Sequence, residues 1–266
     1  MKHLLTILLF ATCASAATVD GIAIHFTVTG NGPKTVILVP GWTCDETSWS
    51  EQVPALAAHY RAVTLDLPGH GKTALPADGN FSMDLFARAV EAVRAEIGAE
   101  RVVLAGHSMG TPVIVQYARL YPRHVSALVF VDGLMSQGGR KAPGPSFLGE
   151  EGHQARENMV RRMFTPATTG ELRAKIEHMM LAPSDSAATG AIRTLYDPAI
   201  WKNDVLSMPI LGLYADKSGL GDRAYMKDHF PHMEYHEIPG TDHFLMLEKP
   251  ADFNRLLIEF LDRQKF

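Results

Sequence analysis

The chain has 266 residues, 46% of them hydrophobic, which suits one globular domain with a large buried core. A formal net charge of −4 gives no reason to expect nucleic acid or an anionic membrane surface as partner, and the 12 histidines are scattered rather than run together.

The first residues read as a segment to be removed. Met1-Lys2-His3 is a short basic start, Leu4 to Ala11 is apolar, and Ala14-Ser15-Ala16 is a small-residue cleavage site. That is the pattern of a secretory signal peptide, too short to remain as a spanning helix. Cleavage is expected after Ala16, with export to the periplasm or the medium and no transmembrane anchor in the mature chain. Cys13 offers lipid attachment as an alternative, but Phe10 and Thr12 are poor neighbours for it. Cleavage leaves Cys44 as the single cysteine, so no intramolecular disulfide is expected.

Gly21 to Gly30 alternates, with Ile22, Ile24, Phe26 and Val28 on one face, and reads as an edge-type strand closed by a turn at Asn31-Gly32. Thr35 to Val39 is continuously apolar, as in a strand covered on both faces. A short helix is expected over Gln52 to His59 and another buried strand over Arg61 to Leu65. Ser82 caps a helix running to about Ile97 whose inward face is Leu85, Phe86, Ala89, Val90 and Val93. Arg101 to Ala105 is a further strand, Thr111 to Tyr121 has helical spacing, and Ser126 to Val131 is strand again.

From Leu134 to Met208 the pattern changes. Gly138-Gly139 and Pro143-Gly144-Pro145 form a loop, then helix-like runs lie near Gln154–Phe164, Gly170–Leu181 and Ala187–Tyr196, with no evident strand. Met135, Met159, Met163, Met179 and Met180 either roof a site adaptably or pack this segment on the core. Strands resume at Pro209 to Tyr214 and Met233 to Ile238, and Ala251 to Arg263 is a closing helix. Alternating strands and helices predict an α/β fold, a mostly parallel sheet with helices on both faces.

The chemistry centres on Gly106-His107-Ser108-Met109-Gly110, which joins a strand to a helix. A serine at the apex of so sharp a turn crowds its neighbours two positions away, so only residues without a Cβ fit there. The turn lifts the hydroxyl clear of the sheet, and the helix N-terminus beneath it favours developing negative charge. Here the chain resembles the α/β-hydrolase superfamily, from about Gly21 to the C-terminus and least between Leu134 and Met208. The resemblance implies a core of residues 17–133 and 209–266 and a helical cap of 134–208, inserted before the last two strands.

A serine hydroxyl needs a base. Gly240-Thr-Asp-His-Phe-Leu-Met-Leu-Glu-Lys-Pro follows the last strand and precedes the last helix, where the superfamily places its catalytic histidine. Gly240, His243, Phe244, Glu248 and Pro250 match types found in many members, so His243 is the expected base and Asp242 is read as a solvated neighbour. For the acid, the superfamily's usual position falls on Ser218, with Asp216 two residues early and Asp222 four late. Some members supply it from the end of the preceding strand, here Asp132, where an aspartate points into the ligand crevice. Asp132 is the leading candidate and Asp216 the alternative. Oxyanion donors are expected from the amides of Met109 and Trp42, the latter in a loop where Pro40 replaces a histidine common in the family.

Other motifs yield no further chemistry. Asp66-Leu-Pro-Gly-His-Gly-Lys-Thr matches a structural loop of the superfamily, with Asp66 and His70 fixing its geometry. Its Gly71-Lys72-Thr73 lacks the glycine that a phosphate loop needs at position 66. His229, His232 and His236 straddle a helix end and a strand, so neither a metal nor a cofactor is expected. Asn80-Phe81-Ser82 is a glycosylation sequon, meaningful only in a eukaryotic secretory pathway.

The expectation is thus an exported serine hydrolase of a small-molecule ester or lactone. Serine at the elbow disfavours haloalkane dehalogenase and epoxide hydrolase chemistry, which use a carboxylate. Carbon–carbon bond hydrolysis, perhydrolysis, or a ligand-binding protein that retains the catalytic residues but turns over slowly are the alternatives.

Overall fold

A computed structural model describes residues 15–135, 144–164, 168–216 and 218–265. The expected export segment as far as residue 14, Cys13 within it, and the Gly138-Gly139 turn lie outside the described residues.

Among the described residues, eight strands form one sheet: β1 (Ser15–Val19), β2 (Ile22–Thr29), β3 (Thr35–Val39), β4 (Arg61–Leu65), β5 (Val102–His107), β6 (Val125–Val131), β7 (Ile210–Ala215) and β8 (Met233–Ile238). Their order is β1-β2-β4-β3-β5-β6-β7-β8, and the ladders from β4 to β8 are all parallel. Only β1 and β2 run antiparallel to their neighbours. Every residue of β3, β5 and β6 is buried, as their unbroken apolar runs require of central strands covered on two sides. By contrast β2 alternates buried and exposed positions over its first half.

Two expectations need correction. The strand over Gly21–Gly30 is not at the edge, because β1 pairs along its outer side, Ser15 opposite Phe26 through Val19 opposite Ile22. The first two residues of β1 belong to the segment read as a cleavage site, whose small-residue pattern hides its pairing capacity. The helix expected over Gln52–His59 is only one turn and a half, α1 (Val53–Ala57), with no side-chain cap at its start.

The helices are α1, α2 (Met83–Glu96), α3 (Gly110–Leu120), α4 (Gly149–Arg161), α5 (Gly170–Leu181), α6 (Asp185–Arg193), α7 (Arg223–His229), α8 (Leu245–Glu248) and α9 (Pro250–Arg263). α2 begins where Ser82 Oγ accepts from Leu85 N–H and ends at Ile97, and it packs against α3. On the other face, Gln52 ahead of α1 donates to Met246 O in α8 and to Asn254 Oδ1 in α9, and Trp49 meets Phe253. Helices α4 to α6 lie between β6 and β7 and form the cap. Within it the buried Arg156 guanidinium donates to Met180 O, Pro183 O and Asp185, tying the three helices together. Among the described residues no helix is long and apolar enough to cross a membrane.

Candidate active site

The carboxyl ends of β3, β5, β6, β7 and β8 open at one end of the sheet, and the loops leaving them surround a cavity of about 650 Å³. Ligand sites of open parallel sheets form there because successive loops diverge around a crevice.

Ser108 leaves β5 with φ 52°, in the left-handed region, and its N–H donates to Val131 O. The flanking glycines are required by space. A Cβ at Gly106 would sit 2.3 Å from Gly110 O, and one at Gly110 would sit 2.6 Å from Val39 O. Both obstacles are backbone and cannot swing aside. Helix α3 starts at Gly110, so its N-terminal amides lie under the serine. Of four non-glycine residues with positive φ among the described ones, Ser108 and Asp132 line the cavity and Thr43 follows Trp42, which does too. Such strain of roughly 1–3 kcal/mol per residue persists only where surrounding structure enforces it.

His243 and Ser108 face the same cavity. Among the described residues no hydrogen bond yet joins them, a looseness usual before substrate binds. His243 Nδ1–H donates to Asp132 Oδ2 over 2.7 Å, and the carboxylate is almost fully buried. Burial works against the Asp132 charge. The bond and charge of His243 outweigh it, helped by the Ser218 hydroxyl and the Ala215 amide, and hold its pKa below the usual carboxylate value. Of the two acids left open by the sequence, the structure therefore brings Asp132 to His243. Asp216 lines the cavity but is exposed. Ser218, at the position where the resemblance places the usual acid, serves Asp132 instead.

Trp42 and Met109 both border the cavity beside Ser108, and among the described residues neither amide donates to a protein acceptor. The Trp42 indole reaches the cap, donating to Ala188 O of α6 over 2.8 Å. Gly41 lies against His107 and Ser108, with room for a Cβ only 3.0 Å from His107 Nδ1. On the cap side Leu134, Met159, Met163, Ile192 and Leu195 supply an apolar wall, with Arg162 beside them.

Several contributors were not legible in advance. His107 is buried behind the site and its Nε2–H donates to His243 O over 2.7 Å. Burial, then the charge of His243, lowers its pKa to about 3, so it stays neutral. Asp242 is buried, not solvated, because Thr168 of the cap and Glu248 of α8 close over it. The family-like Glu248 was the signal for that contact, but Thr168 has no local signature. Cys44 is buried beside the oxyanion loop, and burial raises its thiol pKa.

The Asp66 loop is held as its composition suggests. Asp66 accepts from Glu46 N–H and Lys72 N–H, and a Cβ at Gly71 would strike its carboxylate. His25, Glu46 and Asp66 are the one described group whose ligating atoms converge as a metal site would need. His25 and Glu46 are already bonded to each other, Glu46 also to Lys72, Thr27 and Thr64, and Asp66 to two backbone amides. The Lys72 ammonium, bonded to Glu46 and 3.1 Å from His25 Nε2, does not suit a cation beside it.

The family model for the alpha/beta hydrolase fold matches residues 34–147. Over 249 residues the chain is 28% identical to the dihydrolipoyllysine-residue acetyltransferase component of the acetoin cleaving system of Pseudomonas putida, covering 89% of this chain and 65% of that protein. It therefore spans slightly under two thirds of that relative's length. It is 27% identical over 257 residues to the pimeloyl-(acyl-carrier protein) methyl ester esterase of Sodalis glossinidius, covering 90% of this chain and 98% of the esterase. A solved N-acyl homoserine lactone degrading enzyme superposes with a TM-score of 0.80 at 21% identity, over 92% of this chain and 99% of that one.

Proposed function

We propose that this chain is an exported serine hydrolase of the α/β-hydrolase fold superfamily that cleaves a carboxylic ester or lactone through an acyl-enzyme on Ser108. The observation that carries this reading is the convergence, in one cavity, of a strained serine, a histidine bonded to a buried aspartate, and two free amides. The methyl ester substrate named for the 27% identical esterase is consistent with the same chemistry.

In the proposed reaction Ser108 Oγ attacks the substrate carbonyl while His243 Nε2 takes its proton. Asp132 stabilises the imidazolium, and the amides of Trp42 and Met109 receive the oxyanion, each donor contributing about 2.7–4 kcal/mol to the transition state. His243 then returns the proton to the departing alcohol oxygen. Water, activated by the same histidine, releases the acid and restores the serine. The apolar cap wall suits an acyl chain or lactone ring.

The test is steady-state hydrolysis of nitrophenyl esters of rising acyl length and of a lactone series by the purified protein. Sustained release is expected, falling by about 10⁴–10⁶-fold in Ser108→Ala with folding intact. Equal rates in that variant would refute the reading, and one burst without turnover would instead indicate a ligand-binding protein. An N-terminus at Ala17 on the exported material is the matching expectation for localisation.

A further inference from the structure

Two acidic side chains meet at the seam between cap and core, outside the groups that the proposed reaction uses. Thr168 enters from the cap just ahead of α5, and its hydroxyl lies 2.7 Å from Asp242 Oδ2 and 2.8 Å from Glu248 Oε1. Thr168 and Asp242 are buried, and Glu248 is half-buried. A hydroxyl has one proton to donate. It serves one of these oxygens, and the other short contact is completed when the second carboxyl brings a proton of its own. Two acids held this close together commonly share a proton in this way.

The same carboxyls hold the backbone on both sides of His243. Asp242 N–H donates to Glu248 Oε2 over 2.7 Å, and Phe244 N–H donates to Asp242 Oδ1 over 3.4 Å. His107 fixes the carbonyl between them. The imidazole's aim toward Ser108 therefore depends on a frame that includes a cap residue.

We propose that Thr168, Asp242 and Glu248 form a proton-sharing clasp through which the cap sets the seat of His243, making Thr168 and Glu248 positioning residues. The inference rests on the hydrolase reading. Burial, reinforced by the hydrogen bond and charge of Asp242, raises Glu248 from 4.5 to about 7 against the opposing bonds from the Asp242 amide and Thr168. A carboxyl raised on folding contributes fully below its unfolded value of 4.5, and that contribution is lost as pH rises through about 7. Above it Glu248 carries a charge beside Asp242, with a single hydroxyl between them. Other charged groups on the surrounding elements have their own contacts. Lys249 donates to Pro239 O, Glu46 in the turn packed against α8 binds His25 and Lys72, Lys175 of α5 donates to Ser50, and Arg173 lies over the Phe164 ring. Asp252 of α9 and Arg255 face each other one turn apart.

The deciding measurements are infrared difference spectra of wild type against Glu248→Gln across pH, and pH–rate profiles of Thr168→Val and Thr168→Ser on a nitrophenyl ester. A protonated-carboxyl band that titrates near pH 7 in wild type and vanishes in Glu248→Gln is expected. In Thr168→Val, kcat should fall about tenfold at low pH with KM little changed, as for the loss of one hydrogen bond to a charged group. The deficit should shrink above about pH 8, where the wild-type clasp is itself open, and Thr168→Ser should restore the wild-type profile. Superimposable profiles, or no such band, would overturn the clasp. If Thr168→Val does not fold, the spectra still decide. If Ser108→Ala stays active, the hydrolase reading has failed while the spectra still judge the clasp.

Discussion

The floor and the roof of the cavity are built differently. Every residue of β3, β5 and β6 beneath it is buried, whereas α4 above it buries only Arg156 and Val160 along 13 residues. The floor holds Ser108 and Asp132 in left-handed backbone conformations, with glycines wedged against carbonyls around the elbow. Such geometry tolerates almost no change. In the roof, Met159, Met163, Ile192 and Leu195 offer an adaptable surface, and exposed cations pair loosely with neighbours, as Arg161 does with Glu157. The proposed chemistry therefore falls to the rigid half and the proposed substrate preference to the soft half.

The sharpest break of that division is at the acid. Asp132→Asn should lower kcat by about 10⁴-fold, because the amide cannot stabilise the imidazolium or hold its tautomer. Asp216→Asn, an exposed position, should change kcat by no more than a few-fold. Steady-state rates on one nitrophenyl ester distinguish the two, and the reverse order would relocate the acid.

Next come paired glycines from the two halves. Gly110→Ala places a Cβ 2.6 Å from Val39 O and 2.8 Å from Pro40 O, while Gly170→Ala at the start of α5 meets nothing within 4 Å. Chemical denaturation should show a loss of several kcal/mol for the first, of the size seen for strain in a rigid backbone. The second should gain about 0.4–1 kcal/mol through the unfolded chain. Equal costs would mean that floor and roof are equally rigid.

The gentlest probe is acid. Burial, with a lesser push from the Arg156 charge, lowers His70 to about 4, against the opposing bonds to Pro68 and Leu67 of its own loop and the charge of Asp45. Its neutral form is favoured on folding, so this contribution is complete above pH 6.5 and is lost as pH falls through about 4. The slope for such a group is about 1.4 kcal/mol per pH unit within that window. His70→Asn should flatten the decline of thermal stability between those values. An unchanged slope would assign the acid sensitivity elsewhere, with the neutral His107 as the next group to replace.

What the sequence disclosed follows the same division. β3, β4 and β8 coincide with the strands expected at Thr35–Val39, Arg61–Leu65 and Met233–Ile238, and α2 with the span capped by Ser82. Those elements are specified by neighbours in the chain. The Gly-x-Ser-x-Gly turn was readable by its pattern, although only Gly106 answers to a clash within the turn, with Gly110 O, while Gly110 answers to Val39 O at the end of β3. β1 was hidden because its pairing partner β2 dictates it, not its own Ser-Ala-Ala-Thr-Val composition. The choice between Asp132 and Asp216 also needed three dimensions, since 111 residues separate Asp132 from His243. Asp242 was misread as solvated because what covers it, Thr168, lies 74 residues earlier.

One tryptophan spans both halves. Trp42 borders the cavity beside Ser108 while its indole grips a carbonyl in α6. A guest too bulky for the roof would push on α6 and, through this side chain, tilt the amide proposed to receive the alkoxide. Oversized acyl groups would then still enter and bind, yet be turned over slowly, so that size selection would register in kcat more than in KM.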